Sequence, residues 1–249
     1  MTGRWLRLIL IVFSMALLLA ACGDDEEENT PGTTNPTEAT SGDAGIVATS
    51  DTQASTSASE EPTTAIENGS DGGEPLQFDA APEMQLEEGT DYKAVLHTSE
   101  GDITIDILED AAPVAANNFV FLAQEGYYTN VPFHRILEGF MMQGGDPTGT
   151  GAGGPGYTIQ DEPVVGEYTR GTVAMARTGA PNSAGSQFFI MHADVPIDKV
   201  YVIFGQVLEG IEVVDAISTA PVGPNPGNPQ EVSSPQEPIT LNSVDIITE

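Results

Sequence analysis

Basic residues are scarce in this chain of 249 residues. Lys and Arg number 7 against 38 Asp and Glu, and the formal net charge is −31 at pH 7. Because phosphate backbones repel so acidic a chain, no nucleic-acid partner is expected. Cys22 is the only cysteine. An intrachain disulfide is therefore excluded, and stability has to come from a buried core.

Several enzyme motifs are also either missing or present without the context that they require. The histidines, His97, His134 and His192, lack metal-ligand spacing, so no metal site is predicted. Ser186 follows a glycine but lies outside a GxSxG elbow, which argues against a serine hydrolase. Residues 149–154 satisfy GxGxxG, yet Pro155 follows them where a dinucleotide fold needs a helix. A surface loop is predicted there, and no cofactor.

Long apolar runs are confined to the N-terminus. Arg4 and Arg7 precede the apolar stretch 8–21, which is shorter than the roughly 20 residues of a spanning helix. This order is typical of a secretory signal. The ending Leu-Ala-Ala-Cys resembles the bacterial lipobox, whose cysteine receives diacylglycerol. Residues 1–22 are therefore predicted to be a lipoprotein signal peptide with Cys22 lipidated, which places the chain outside the cytoplasm on a bacterial membrane; a buried thiol is the alternative.

Residues 23–90 contain no Lys or Arg and few large apolar side chains. Such a segment cannot offset its conformational entropy by burial, so it is predicted to be a disordered tether with a reach of roughly 45 Å. The acidic run 24–28 has the composition of a cation site, but it is typical of a solvated linker.

Residues 91–249 show the periodicities of a folded domain. Ile103, Ile105 and Ile107 alternate with polar residues, and with the preceding run 92–99 they predict an antiparallel hairpin. A helix follows, with Asp110 as its cap and Pro113 in its first turn. Short strand-like runs and a second helix, over 210–217, predict an antiparallel barrel or sandwich. The proline-rich stretch 221–238 is interpreted as a long loop, with a recognition segment as the alternative.

Three blocks have a more specific pattern: FHRILEGFMMQGGDPTGTGAGGPGY from Phe133, RGTVAMARTGAPNSAGSQFFIMHA from Arg170, and VYVIFGQVLEGIEVVDAI from Val200. Together they resemble the cyclophilin family of peptidyl-prolyl cis/trans isomerases, and the resemblance covers residues 91–249. It implies a mainly β fold, a closed eight-stranded antiparallel barrel capped by two helices. It also implies a cofactor-independent isomerase that acts on proline-containing polypeptides. We expect the protein to be a monomer.

The resemblance also assigns roles to residues. Arg135 would be the catalytic cation, donating to the prolyl nitrogen as its lone pair localises in the twisted transition state; a surface salt bridge is the alternative role. The proline ring would lie among Phe140, Met141, Phe189 and Ile197, for which plain core packing is the alternative. Gln143, Gln187 and the Ala176-Arg177 segment would bind the substrate backbone, and Tyr201 stands where the family often has a histidine.

The chain departs from the familiar eukaryotic pattern at two further places. Pro196 lies where a tryptophan is often found, and Ala180 is an additional residue. Two other functions remain open on sequence alone: a proline-segment binding module or holdase with little turnover, and a structural surface lipoprotein.

Overall fold

The structure, a computed structural model, describes residues 75–249. The predictions for the signal peptide, the lipidation site Cys22 and most of the tether lie outside the described residues. Within residues 75–249, none of the helices combines the length and the apolar character that crossing a membrane requires.

The predicted hairpin is present as β1 (Tyr92–Thr98) and β2 (Gly101–Ile107), which pair antiparallel. The three isoleucines of β2 are buried, and Asp102 on the opposite face is exposed. Gly101 closes the turn with a φ of 131°, a value that side chains rarely tolerate. The period-two pattern therefore sets the orientation of this part of the sheet.

Seven further strands join this hairpin in one antiparallel sheet. In chain order they are β3 (Val131–Pro132), β4 (Arg135–Leu137), β5 (Met141–Gly144), β6 (Thr172–Met175), β7 (Phe188–Met191), β8 (Ile203–Glu209) and, after the small hairpin of β9 (Val222–Asn225) and β10 (Asn228–Pro235), β11 (Thr240–Thr248). The order across the sheet is β3-β11-β1-β2-β8-β6-β7-β5-β4.

The two end strands of the sheet, β3 and β4, are consecutive in the chain. Only Phe133 and His134 separate them, and the Phe133 amide still donates to the Ile239 carbonyl oxygen, beside β11, at 2.9 Å. The segment 131–137 thus pairs with β11 at one end and with β5 at the other. The ladder is open between β3 and β4, but the chain itself joins them, and as one bent strand they complete the expected eight.

Two helices accompany the sheet, α1 (Pro113–Gln124) and α2 (Ile211–Ser218). The prediction that Asp110 caps α1 is wrong, since the N-cap residue is Ala112 and the chain makes a tight turn at Leu108 before it. The Glu162 carboxylate caps the helix instead. Its two oxygens accept hydrogen bonds from the amides of Val114 and Ala115, both at 2.9 Å.

The barrel interior is a packed core. Phe119 of α1 lies at its centre, with its ring 5.1 Å from that of Phe204 and 5.5 Å from that of Phe188. Tyr128 is also fully buried, and its hydroxyl donates to the Ser186 carbonyl oxygen at 3.0 Å. The interior is therefore filled by side chains, and any ligand site has to lie on the outside of the sheet.

Residues 75–90, which we call the strap, belong to the predicted tether but lie against the domain. Phe78 stacks edge-on against Phe121 at 5.1 Å, and its amide donates to the Pro155 carbonyl oxygen at 2.8 Å. Further along, the buried Asn117 side chain bonds the backbone of Glu83 and Gln85 at 3.0 and 2.8 Å. The strap lacks helix and strand, yet the Phe78 ring, the buried Asn117 amide, the packing of Leu86 against the core and a 2.9 Å hydrogen bond from Gln77 to the Gly154 carbonyl oxygen hold it.

The proline-rich stretch 221–238 is not a simple loop, because it contains the β9–β10 hairpin. The Asn225 side chain accepts a hydrogen bond from the Gly227 amide at 2.8 Å and so fixes the turn between the two strands. Strand β10 lies beside β4. The hairpin therefore reaches the strand that carries Arg135.

Candidate active site

A surface cavity of about 550 Å³ lies on the outer face of the sheet. Its volume is within the range usual for small-ligand sites. It contains nine of the ten substrate-site residues predicted within the described part of the chain and three that were not predicted. The lining is Arg135, Phe140, Met141, Gln143, Ala176, Arg177, Phe189, Pro196, Ile197, Asp198, Val200 and Tyr201.

The floor of this cavity is apolar because β5 and β7 are buried on both faces. Phe188 and Ile190 point into the barrel core, whereas Phe189 and Met191 belong to a second apolar cluster outside it. Met141 is likewise in the outer cluster, and its neighbour Met142 is in the core. Along β5 and β7, alternate side chains thus face the core and the cavity. A continuous apolar run in the sequence therefore supplies both the core and the water-poor floor of the cavity.

Arg135 lies at the rim of the cavity, on β4. Its Nη1 is 3.5 Å from Oε1 of Gln143 and 4.0 Å from Sδ of Met141, so this nitrogen faces the cavity. The other edge of the guanidinium is paired with Glu231: Nε lies 2.7 Å from Oε1 and Nη2 lies 2.9 Å from Oε2. Arg135 therefore both lines the cavity and forms the salt bridge that the sequence left as an alternative.

The two predicted glutamines are joined in one chain of hydrogen bonds. The Gln143 side chain donates to Oε1 of Gln187 at 2.9 Å. The side-chain Nε2 of Gln187 in turn donates to the carbonyl oxygens of Gly151 and Gly153 at 3.0 and 2.9 Å. Gln187 does not line the cavity beside Arg135 but a neighbouring one, and Gln143 lines both cavities. The hydrogen bond from Gln143 to Gln187 therefore fixes the orientation of Gln143 at the border between the two cavities.

The GxGxxG stretch is a surface loop, as predicted, and Asp146 organises it. The Asp146 carboxylate accepts bonds from the amides of Thr148, Gly151 and Gly153 at 2.8, 2.7 and 3.1 Å. Burial alone would raise the pKa of Asp146, but the hydrogen bond from the Thr148 hydroxyl, at 2.7 Å, and these three amide bonds lower it overall. A side chain at Gly153 would collide with this carboxylate, since a Cβ there would lie 2.0 Å from Oδ1. The loop thereby presents the two carbonyl oxygens that hold Gln187.

Arg177 uses its guanidinium locally. It pairs with Asp161 at 2.9 Å and donates to the carbonyl oxygens of Ala180 and Val200 at 2.7 and 3.2 Å. Its neighbour Ala176 continues the line of β6, and its amide donates to the Gln187 carbonyl oxygen at 2.9 Å. The Arg177 side chain thus shapes the wall of the cavity.

Tyr201 closes the far side of the cavity. Its ring meets that of Phe189 edge-on, with the ring centres 5.5 Å apart. Its backbone is fixed by the Tyr168 hydroxyl, which donates to the Tyr201 carbonyl oxygen at 2.8 Å and accepts from its amide at 3.1 Å. Pro196 and Ile197 lie on the same side, so both residues line the cavity.

His134 is next to Arg135 in sequence but points away from solvent. It is 8% exposed, and neither ring nitrogen has a hydrogen-bond partner among the described residues. Burial lowers the pKa of His134, so the ring is neutral near pH 7. Within residues 75–249, no group of three or more His, Cys, Asp or Glu side chains is arranged to hold a metal ion.

Sequence reasoning missed Asp198, Val200 and Glu231. Asp198 and Val200 lie in an irregular segment beside Ile197. Such a segment has no helical or strand periodicity in its sequence from which a site-lining residue could be predicted. Glu231 is 96 positions from Arg135, inside a stretch interpreted as a loop. The one available signal was charge, because a rare arginine in so acidic a chain is expected to find a carboxylate.

Comparison with known proteins agrees with this geometry. The family model "Cyclophilin type peptidyl-prolyl cis-trans isomerase/CLD" matches residues 93–245. The isomerase CYP18-1 of Arabidopsis thaliana is 43% identical over 157 residues, which cover 61% of this chain and 93% of that protein. A peptidyl-prolyl cis-trans isomerase of Synechococcus elongatus is 46% identical over 115 residues, covering 46% and 79%.

A solved structure is similar as well. The cyclophilin type isomerase of Cryptosporidium parvum, crystallised in the presence of the dipeptide Ala-Pro, superposes with a TM-score of 0.57 at 33% identity and covers 63% of this chain and 99% of its own. The barrel, the apolar cavity with an arginine at its rim and these similarities lead to one assignment. The chain belongs to the cyclophilin family and is a peptidyl-prolyl cis/trans isomerase.

Proposed function

We propose that this isomerase accelerates X–Pro isomerisation in polypeptides that fold outside the cytoplasmic membrane, to which a lipid on Cys22 anchors it. The apolar run 8–21 and the Leu-Ala-Ala-Cys ending support the location. Uncatalysed X–Pro exchange takes tens of seconds, so an enzyme at the membrane surface relieves a slow folding step. We also propose that the protein acts as a monomer.

Arg135 is the proposed catalytic residue, and its position at the rim of an apolar cavity is the observation that carries the proposal. Amide resonance sets the barrier to rotation about the X–Pro bond, about 18–20 kcal/mol. With the proline ring against Phe140, Met141 and Phe189, Nη1 of Arg135 would lie beside the prolyl nitrogen. A hydrogen bond from this cation to the nitrogen lone pair weakens the resonance as the bond twists.

One hydrogen bond does not account for the whole effect. A charge-assisted bond contributes about 1.5–3 kcal/mol, which corresponds to about a tenfold to hundredfold increase in rate. The rest has to come from the apolar floor and from the backbone contacts of Gln143, which favour the twisted peptide over either planar isomer. No cofactor is needed for this reaction.

Substrate binding is proposed to occur through the apolar lining. The similarity to the Cryptosporidium parvum protein crystallised with Ala-Pro supports a proline ring in the cavity. Each of the five Lys and Arg residues between 75 and 249 is paired with a carboxylate. The remaining acidic surface therefore favours neutral or basic polypeptides as clients.

The catalytic proposal is tested by NMR exchange on a short Ala-Pro peptide with the full chain. We expect Arg135→Ala to lower kcat/KM about a hundredfold and Arg135→Lys about tenfold, because lysine keeps the charge but loses the planar fork. Arg170→Ala is the matched control, since Arg170 pairs with Asp215 at 2.7 Å and does not line the cavity. Wild-type protein that binds the peptide without accelerating exchange would favour the holdase instead.

The anchoring proposal has its own test. Cys22→Ser should move the protein from the membrane fraction to the soluble fraction, because the thiol is the only site for the lipid. A Ser variant at another position near the N-terminus, such as Thr30→Ser, serves as the control. Unchanged fractionation of Cys22→Ser would exclude lipidation at this residue.

A further inference from the structure

The β9–β10 hairpin places a carboxylate on the proposed catalytic arginine. Glu231, on β10, bonds Nε and Nη2 of Arg135 at 2.7 and 2.9 Å, one oxygen to each nitrogen. This two-point geometry fixes the plane of the guanidinium as well as its distance. The side chains of Arg135 and Glu231 are 29% and 25% exposed, so the pair is partly buried and still in contact with water.

Glu231 is itself held in place by the hairpin. The hydroxyl of Ser233, a fully buried residue, donates to Oε1 of Glu231 at 2.7 Å. Asn225, on β9, donates to the same Ser233 hydroxyl at 3.0 Å. Both strands of the hairpin therefore orient the carboxylate. The hydrogen bond from Arg135 lowers the pKa of Glu231 to about 2, so the carboxylate is charged at working pH.

The Glu231 carboxylate, which we call the clamp, occupies one edge of the Arg135 guanidinium and leaves the other edge for the cavity. An arginine has five N–H donors in one plane. Glu231 takes one from Nε and one from Nη2, and Nη1 remains directed toward Gln143 and Met141 in the cavity. A guanidinium without this clamp would be free to rotate on its flexible stem, away from the position where the prolyl nitrogen would lie.

We infer that Glu231 is a positioning residue that aims Arg135 at the prolyl nitrogen. The inference rests on the proposed catalytic role of Arg135. The Glu231 carboxylate also offsets part of the positive charge of Arg135, and this effect alone would make Arg135 a weaker hydrogen-bond donor. For a partly exposed pair solvent screens that effect, whereas misplacement of a catalytic group by about 1 Å can cost about a hundredfold in rate. Orientation therefore outweighs charge here.

The test compares three variants of the full chain by NMR exchange on an Ala-Pro peptide. Glu231→Gln has nearly the same shape but sets an amide against Nη2, and we expect kcat to fall about tenfold with KM changed less than about twofold. Glu231→Asp, which keeps the carboxylate on a shorter stem, should recover part of the loss. Glu237→Gln is the control. Glu237 follows the same hairpin and is exposed, and its replacement by Gln removes the same charge.

A second readout detects the clamp without relying on activity. The Nε–Hε signal of Arg135 should resonate downfield and exchange slowly with water in the wild type, and should lose both features in Glu231→Gln but not in Glu237→Gln. If that signal is lost while kcat stays at the wild-type value or rises, the positioning role is refuted and the proposed enzyme mechanism stands. If the wild type itself does not accelerate exchange, the proposed function fails, and the inference fails with it.

Discussion

Replacing Phe78 by Ala should lower the stability of the domain, because this ring is the main apolar anchor of the strap. It contacts Phe121, and its ring centre also lies 6.3 and 6.4 Å from those of Tyr127 and Tyr157. The Phe78 amide bonds Pro155 at the end of the loop that Asp146 organises. Loss of the ring would therefore expose parts of three aromatic neighbours and weaken the attachment of the strap.

The size of the effect follows from burial. A fully buried Phe→Ala substitution costs about 3–5 kcal/mol. Phe78 is only partly buried, so about half of that, roughly 2 kcal/mol, is expected. In a domain of this size each kcal/mol shifts Tm by about 2–4 °C. The expected fall in Tm is therefore about 4–8 °C.

Thermal unfolding followed by circular dichroism measures this change. Leu76→Ala is the matched control, because Leu76 is in the same strap but is 46% exposed, so its Tm should stay near the wild-type value. A chain that begins at Asp91 should lose at least as much stability as Phe78→Ala when compared with one that begins at Pro75. Equal melting temperatures for these two truncated chains would show that the strap is part of the tether, as the sequence predicts.

Three further outcomes are expected. Glu162→Ala should lower the free energy of unfolding in urea by about 1–2 kcal/mol through loss of the α1 cap, with a smaller loss for Glu162→Gln; no loss would exclude the cap. The isomerase rate should stay nearly constant between pH 6 and 8, because Arg135 keeps its charge and burial lowers the pKa of His134, whereas a bell-shaped profile would contradict this. Finally, the salt bridge lowers the pKa of Glu231 from 4.5 to about 2, so its stabilisation is complete above pH 4.5 and is lost as the pH falls toward 2. The difference in unfolding free energy between wild type and Glu231→Gln should shrink over that range, and a constant difference would refute it.

Much of the barrel was predictable because its signals are local. The alternation of Ile103, Ile105 and Ile107 predicted β2, and Pro113 marked the start of α1. The apolar cavity was predictable only through the family resemblance. Phe188 and Phe189 are adjacent and chemically identical, and periodicity alone does not tell which of the two faces the core and which faces a ligand.

The missed features share a different property, which is sequence distance. Glu162 caps a helix that begins 49 residues earlier, Glu231 clamps an arginine 96 residues away, and Phe78 packs on Phe121 across 43 residues. Each residue is locally ordinary: a glutamate in a polar stretch, or one aromatic in a linker. Their roles exist only once the barrel has brought the partners together.

The sequence by itself determined the family, through the three long motifs, and with it nine of the twelve residues that line the cavity. Local periodicity determined most of the strands and both helices. The tertiary structure alone decided that residues 75–90 pack on the domain, what caps α1 and which edge of Arg135 remains for a substrate. The physical reason is that a carboxylate or an aromatic ring acquires such a role only from the groups within a few ångströms of it in space, and for these residues those groups are far away along the chain.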